Sequence, residues 1–355
     1  MLKIFGFITI CFVYRGFAGK NNDDLKINIY TKIFEIESVT SYYECEGISV
    51  FYNAAQKLKL PVPGIPLRPI TEHNVSFVIY SRQHAQPLVV NTYDSARSVS
   101  SLPKSFNIEK PTVVYVHGIH DTYEPYVPIF KNGLFPKEDI NLIFMDWDSY
   151  ADYNSMYSRN NTVPRLGNIL GKFLRQYIKA GANPKDIYLI GISSGAQSFG
   201  IAGKQITNPK IGRILGIDPV GTCYNFGHDS LRLSRGDADF VQIVHCSVGE
   251  FGELSKFQGD ATFYLNGGKL QPQCVDEKSL TDVNKCSHDS CGTYVYKTLY
   301  DFNKYIGVKC DSYEKYLSKD CDCSDKAVMG YNTSTKTKGT YYVDTASNSR
   351  PVCQS

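Results

Sequence analysis

The sequence predicts an α/β fold, a mostly parallel central sheet with helices on both faces, held by disulfides. Three features point there. Short β-like apolar runs alternate with helical patterns from Val75 onward, one long segment between two of those runs is strongly amphipathic, and the chain carries eleven cysteines. At 355 residues, 42% hydrophobic and 21% charged, it is long enough for one large α/β domain with additions or for two smaller domains. The same figures exclude the long-disordered, collagenous and polybasic classes.

The elements follow in order. Residues 20 to about 74 are a polar opening followed by Pro61-Val62-Pro63-Gly64-Ile65-Pro66, a run that reads as an extended connector. Strands are predicted at Thr112 to Val116, Asn141 to Met145, Ile187 to Ile190, Arg213 to Ile217 and Phe240 to Val244. Between the second and third, Val163, Leu166, Ile169, Leu170, Phe173, Leu174, Tyr177 and Ile178 recur at spacings of three and four. That predicts one amphipathic helix ending near Gly181, with Pro184 beyond it. A crossover of this kind implies parallel strands. The tail from about Cys310 is rich in Cys, Lys, Thr and Ser, with a strand-like stretch at Thr340 to Val343.

The first residues predict export. Lys3 gives a basic start, Ile4 to Tyr14 an apolar run, and Gly16-Phe17-Ala18 the small residues a signal peptidase reads, so residues 1–18 are expected to be a secretory leader. The run is far short of the ~20 residues a spanning helix needs, and no transmembrane segment is expected. Removing Lys3 and Arg15 lowers the formal charge from +3 to +1, which gives no pull toward nucleic acid. Removing Cys11 leaves an even set of ten cysteines, suited to disulfides in an oxidising compartment. No cofactor and no metal is expected, because the only tight pair, Cys321-Asp322-Cys323, lacks zinc-knuckle spacing. The sequons at Asn74, Asn160 and Asn332 are candidate glycosylation sites.

The chemistry centres on Ile187 to Ala196, which reads as a strand, then Gly191-Ile192-Ser193-Ser194-Gly195, then a helix start. A serine on such a sharp strand-to-helix turn is pushed out at the top of the sheet, and glycines two residues to either side permit the close backbone crossing. Ser193 is therefore the candidate nucleophile, with the N–H of Ser194 at the helix start able to hold developing oxyanion charge. A serine hydroxyl needs a base, and the base an orienting acid. Asp218, before Pro219 and at the carboxyl end of the next predicted strand, stands where sites in parallel sheets gather. The strand Val113 to Val116 ends in His117-Gly118-Ile119, where the N–H of Ile119 can face the same oxyanion and His117 reads as structural.

These residues resemble a known family. Lys110-Pro111-Thr112 leading into His117-Gly118, Met145-Asp146-Trp147, Gly191 to Ala196 with Ala202-Gly203-Lys204, Gly216-Ile217-Asp218-Pro219, and Phe263-Tyr264-Leu265-Asn266-Gly267-Gly268 occur in the order found in the animal pancreatic-lipase family. The insect lipases and wasp-venom phospholipases A1 are especially similar. The likeness runs from about Val75 to Cys353 and implies an α/β-hydrolase fold over 75–355, preceded by an extension at 19–74 and without the family's C-terminal β-sandwich. It also implies ester hydrolysis with the triad in the order Ser, Asp, His. Of the histidines after Ser193, which are His228, His245 and His288, the family's Cys-x-His motif selects His288 in Cys286-Ser287-His288.

Family spacings imply disulfides Cys274 to Cys286, bounding a lid, and Cys310 to Cys321, with all ten mature cysteines oxidised. The chain departs from the family at Ile192, Ser194, Ile119 and Ser290, the last in place of an arginine. The lid, Val275 to Lys285, is short and polar, as in the family's phospholipases A1. The expected partners are thus a lipid ester substrate and a lipid interface, with phospholipase A1-type hydrolysis in an extracellular, secreted protein. The alternatives are a triacylglycerol lipase and a catalytically silent, yolk-type binding or storage protein.

Overall fold

The computed structural model describes residues 68–151, 158–221, 223–224, 229–249, 251–254, 259–277 and 279–345. The predicted leader, most of the connector, His228, Cys45 and Cys353 lie outside the described residues. One eleven-stranded sheet runs in the order β10-β9-β11-β8-β7-β6-β5-β3-β4-β1-β2. These strands are β1 (Ser76–Ser81), β2 (His84–Val90), β3 (Thr112–Val116), β4 (Asn141–Asp146), β5 (Ile187–Ile192), β6 (Arg213–Ile217), β7 (Phe240–His245), β8 (Ala261–Leu265), β9 (Ile306–Lys309), β10 (Lys326–Val328) and β11 (Gly339–Val343). From β4 through β3, β5, β6, β7 and β8 to β11 every neighbour is parallel. Antiparallel hairpins finish the two edges, β1 with β2 beyond β4, and β9 with β10 beyond β11. This is the expected α/β-hydrolase architecture.

Side chains alternate across the pleat, so each central strand feeds two cores. Val114, Val116, Ile143, Met145 and Leu189 enter one core, and Val113, Tyr115, Leu142, Phe144 and Ile190 the other. Four main helices cover them: α1 (Tyr126–Leu134), α2 (Val163–Lys179), α3 (Ser194–Gly203) and α4 (Leu280–Tyr300). Leu166, Leu170, Phe173 and Tyr177 of α2 pack into the first core with Phe199 of α3. Phe130 and Leu134 of α1 and Val295 and Leu299 of α4 fill the second. The amphipathic pattern thus gives α2 as predicted, closed by Ala180 and by Gly181 at φ 125°.

Where bounds differ from the sequence reading, the ladder explains it. β5 runs on through Gly191 and Ile192 because both still pair with Gly216 and Ile217 of β6. The predicted lid is also not all loop: from Leu280 it becomes the first turn of α4, capped by the Ser279 hydroxyl accepting from Asp282 N–H.

The chain steps from β3 outward to β4 and then crosses to β5 on the other side of β3. The carboxyl ends of β3 and β5 therefore meet at a topological switch point, where a crevice opens above an open parallel sheet.

Phe173 is fully buried and stacks on Phe77 of β1 at 3.8 Å between ring centroids, 8° from parallel. Phe173→Ala should lower stability by about 3–5 kcal/mol, read as an earlier midpoint in urea unfolding.

Candidate active site

Ser193 sits between β5 and α3 at φ 58°, ψ −123°, a conformation a residue with a side chain adopts only when its surroundings enforce it, at a cost of about 1–3 kcal/mol. Backbone bonds supply the enforcement. Ser193 N–H donates to Ile217 C=O at 2.9 Å, while its own C=O accepts from Val220 and Gln197 N–H, both at 3.3 Å. The flanking glycines have a steric cause. A β-carbon at Gly195 would stand 2.4 Å from Val116 C=O, and one at Gly191 would stand 2.6 Å from the Phe199 ring. The Gly118 loop presses against the same turn, since a β-carbon there would meet Ser193 Cβ at 3.2 Å and its Oγ at 3.7 Å. Ser194 is the first residue of α3, so its N–H has no carbonyl one turn back to bond. Ile119 follows Gly118 on the loop beside Ser193, partly buried against the first core.

His117 is fully buried, with Nδ1 2.9 Å from Gly118 C=O, Nε2 3.0 Å from Asp148 Oδ1, and its ring stacked on Trp147. It fixes the loop from below, in keeping with the structural role read for it.

Asp218 follows β6 and is fully buried, at φ 40°. Its Oδ1 accepts from the N–H groups of Cys246 at 2.8 Å and Ser247 at 3.2 Å, and its Oδ2 from the Ser247 hydroxyl at 2.5 Å. The fourth partner is His288 Nδ1, 2.6 Å from Oδ2. An Nδ1–H donated to the carboxylate leaves Nε2 as the unprotonated nitrogen. Burial pushes the Asp218 carboxyl up, but the hydrogen bonds from His288, Ser247 and Cys246 outweigh it and hold the pKa below the ordinary aspartate value.

His288 is buried in α4, its ring 5.5 Å from that of Phe251. One turn on, Gly292 packs so closely on Ile192 that a β-carbon would stand 3.0 Å from Ile192 Cδ1. The helix bearing His288 thereby lies against the residue preceding Ser193. His245, another histidine after Ser193, ends β7 fully buried with its ring stacked on Tyr264.

Cys274 pairs with Cys286 and Cys310 with Cys321, as the family spacings imply. A third bond, Cys246–Cys291, was not foreseen, although both cysteines flank site motifs in the sequence. Cys223 and Cys323 are disulfide-bonded too, so every described cysteine is oxidised. Among the described residues no cluster of three or more His, Cys, Asp or Glu could hold a metal ion. No described helix is long and apolar enough to cross a membrane. Of the sequon asparagines, Asn332 is exposed and Asn74 is half-buried with its Oδ1 accepting from Thr71, while the Asn160 side chain lies outside the described residues.

Sequence reasoning also missed Ser247 and Glu253. Glu253 is fully buried beside the site, with its Oε2 3.3 Å from Gln197 Nε2 and its Oε1 unbonded. Burial, only partly offset by Arg232 and Gln197 and reinforced by the Asp218 charge, pushes its pKa up to about 8.

A family model described as Lipase matches residues 51–350. Lipase member H of Oryctolagus cuniculus is 32% identical over 259 residues, covering 71% of this chain and 54% of that protein. Lipoprotein lipase of Neovison vison is 33% identical over 249 residues, covering 64% and 52%. The chain thus spans about half the length of the curated relatives it matches. Among solved structures, a phospholipase/carboxylesterase from Dyadobacter fermentans aligns over 55% of this chain and 92% of its own at 13% identity, with a TM-score of 0.31.

Two pH predictions follow from these carboxyls. Glu253 keeps its proton in the folded protein up to about pH 8 but releases it near the ordinary 4.5 when unfolded, so it destabilises progressively between those values. Glu253→Gln should raise Tm by a few degrees at pH 8–9 and leave it unchanged below pH 4.5, in a calorimetric pH series. Asp218 has the opposite sign, because its folded pKa is depressed. Its stabilising contribution is complete at neutral pH and is lost as pH falls through that folded value, so Asp218→Asn should flatten the acid end of the same series.

Proposed function

Because the chain belongs to the lipase family, we propose that it is a secreted carboxylic ester hydrolase acting on lipid esters through an acyl-enzyme on Ser193. The observation that carries this reading is the 2.6 Å contact of His288 Nδ1 with buried Asp218 Oδ2, beside a strained serine turn at the switch point of the sheet. In this reading Ser193 Oγ attacks the ester carbonyl as its proton passes to His288 Nε2, and Asp218 stabilises the imidazolium. The N–H groups of Ser194 and Ile119 hold the oxyanion, His288 returns its proton to the departing alcohol, and water then releases the acid by the same path. Export is supported by the oxidised state of all described cysteines.

For the substrate we favour phospholipid, in a phospholipase A1-type reaction. Only eleven residues separate Cys274 from Cys286, and Asp276, Glu277 and Val275 among them are exposed. So short and polar a cover leaves an apolar acyl groove unshielded. Each buried methylene of an acyl chain contributes about 0.8 kcal/mol, and the partly buried Ile119 beside Ser193 is an apolar surface that could receive it. The second reading, a triacylglycerol lipase, is favoured by the similarity to lipoprotein lipases.

A fluorophosphonate probe should label Ser193 in the wild type and nothing in Ser193→Ala, mapped by mass spectrometry. Ser193→Ala and His288→Ala should each lower turnover of a short-chain ester on the order of 10⁴- to 10⁶-fold. Wild-type turnover by a folded His288→Ala protein would sink the assignment. Initial rates on monomeric phosphatidylcholine, the same lipid as micelles, and a triacylglycerol emulsion separate the substrate readings. Comparable rates on both phosphatidylcholine forms are expected, and a sharp preference for the emulsion would select the triacylglycerol lipase.

A further inference from the structure

The Cys246–Cys291 disulfide joins two elements at the very place where Asp218 and His288 meet. Cys246 is the first residue past β7, and its N–H is one of the donors that hold the Asp218 carboxylate. Ser247, the next residue, supplies two more. Cys291 lies on α4 three residues after His288, within one helical turn. Both sulfur-bearing residues are fully buried, with Cα atoms 5.5 Å apart.

The links close a ring. From Asp218 Oδ1 it runs to Cys246, through the sulfur bridge to Cys291, back along α4 to His288, and across 2.6 Å to Asp218 Oδ2. The other bond on this helix, Cys274–Cys286, ties its start to the lid segment and not to the strand end that holds the acid. Gln271 bridges the same two elements without a covalent link, its Nε2 donating to Cys246 C=O at 3.0 Å and its N–H to Ser287 Oγ at 3.1 Å. Without the Cys246–Cys291 bond, the helix would be held to this strand end by hydrogen bonds and packing alone. A slip of about 1 Å, tolerable to apolar contacts, breaks an aligned hydrogen bond and can cost a site on the order of 100-fold in rate.

We propose that the Cys246–Cys291 disulfide is a positioning element of the ester-hydrolysis site, holding His288 against Asp218 by covalent closure between β7 and α4; this rests on the reading of Ser193, Asp218 and His288 as the reacting set. Cys246 and Cys291 touch no reacting atom and act through the two residues they hold.

The test uses the full-length protein with two replacements of the pair, Cys246→Ala/Cys291→Ala and the volume-keeping Cys246→Val/Cys291→Ala. Cys310→Ala/Cys321→Ala, which removes a bond in the tail, is the control. Each is assayed for kcat and KM on a water-soluble short-chain ester and for Tm. Both site-pair variants should lose 10- to 100-fold in kcat with KM within twofold. The control should lose Tm but keep kcat within twofold, and the valine variant should regain Tm without regaining kcat. Wild-type kcat in a folded site-pair variant would overturn the proposal, as would an equal loss of kcat in the control. Failure of both site-pair variants to fold would make the bond a condition of folding and overturn the positioning role. Absence of fluorophosphonate labelling at Ser193 in the wild type would remove the underlying functional reading instead, a result read on the unmodified protein alone.

Discussion

The buried carboxylate of Asp218 is the constraint around which this molecule is arranged. An ionised group sealed from water costs several kcal/mol unless donors replace its hydration. Here the replacements come from two separate stretches of chain: Cys246 and Ser247 past β7, and His288 on α4. Holding all of them at hydrogen-bond length fixes the end of β6 against the end of β7, where Asp218 N–H also donates to Val244 C=O at 2.7 Å. It fixes the height of α4 above the sheet as well. Even the turn behind is committed, since a β-carbon on Gly252 would come within 2.9 Å of Asp218 Oδ1.

The serine turn is the second cost the fold carries, and it is held by over-determination. Its backbone bonds tie it to β6, to Val220 past β6 and to its own helix. Gln197 of α3 spans the floor of the site, donating to Val220 C=O and accepting from Leu233 N–H. Local strain of this order persists only where neighbours leave no cheaper conformation. In the proposed reaction, fixing the hydroxyl before substrate arrives would remove orientational freedom from the barrier.

The fold was legible where burial and hydrophobicity coincide. β3 and β6 have the predicted bounds because both are buried apolar runs flanked by turn residues. α2 was legible because its polar and apolar faces separate cleanly. α4 was not. Its buried residues mix Asn284, Ser287, His288, Ser290 and Thr298 with Val283, Val295 and Leu299, so helical periodicity of burial exists with only a broken periodicity of hydrophobicity. Ser287, His288 and Ser290 are polar because they meet Gln271, Asp218 and Gln273. The same chemistry that makes the segment functional hid its conformation. Ser193 and the glycines were legible because a turn geometry demands them, and Asp218 because it ends a parallel strand. Ser247 was not, because a donor to a buried carboxylate can be almost any residue with a hydroxyl or an N–H, and Glu253 was not, because nothing in its neighbours along the chain marks a carboxyl for burial.

The early start of α4 has a further consequence for how the site is entered. Between Cys274 and the Ser279 cap only a few residues are free of helix, and the rest of that segment is continuous with the rod that bears His288. A flap built this way has almost no slack. It cannot swing as an independent gate without tilting the helix that bears His288. In the hydrolysis proposed above, admitting a substrate and seating the base would therefore be one movement and not two.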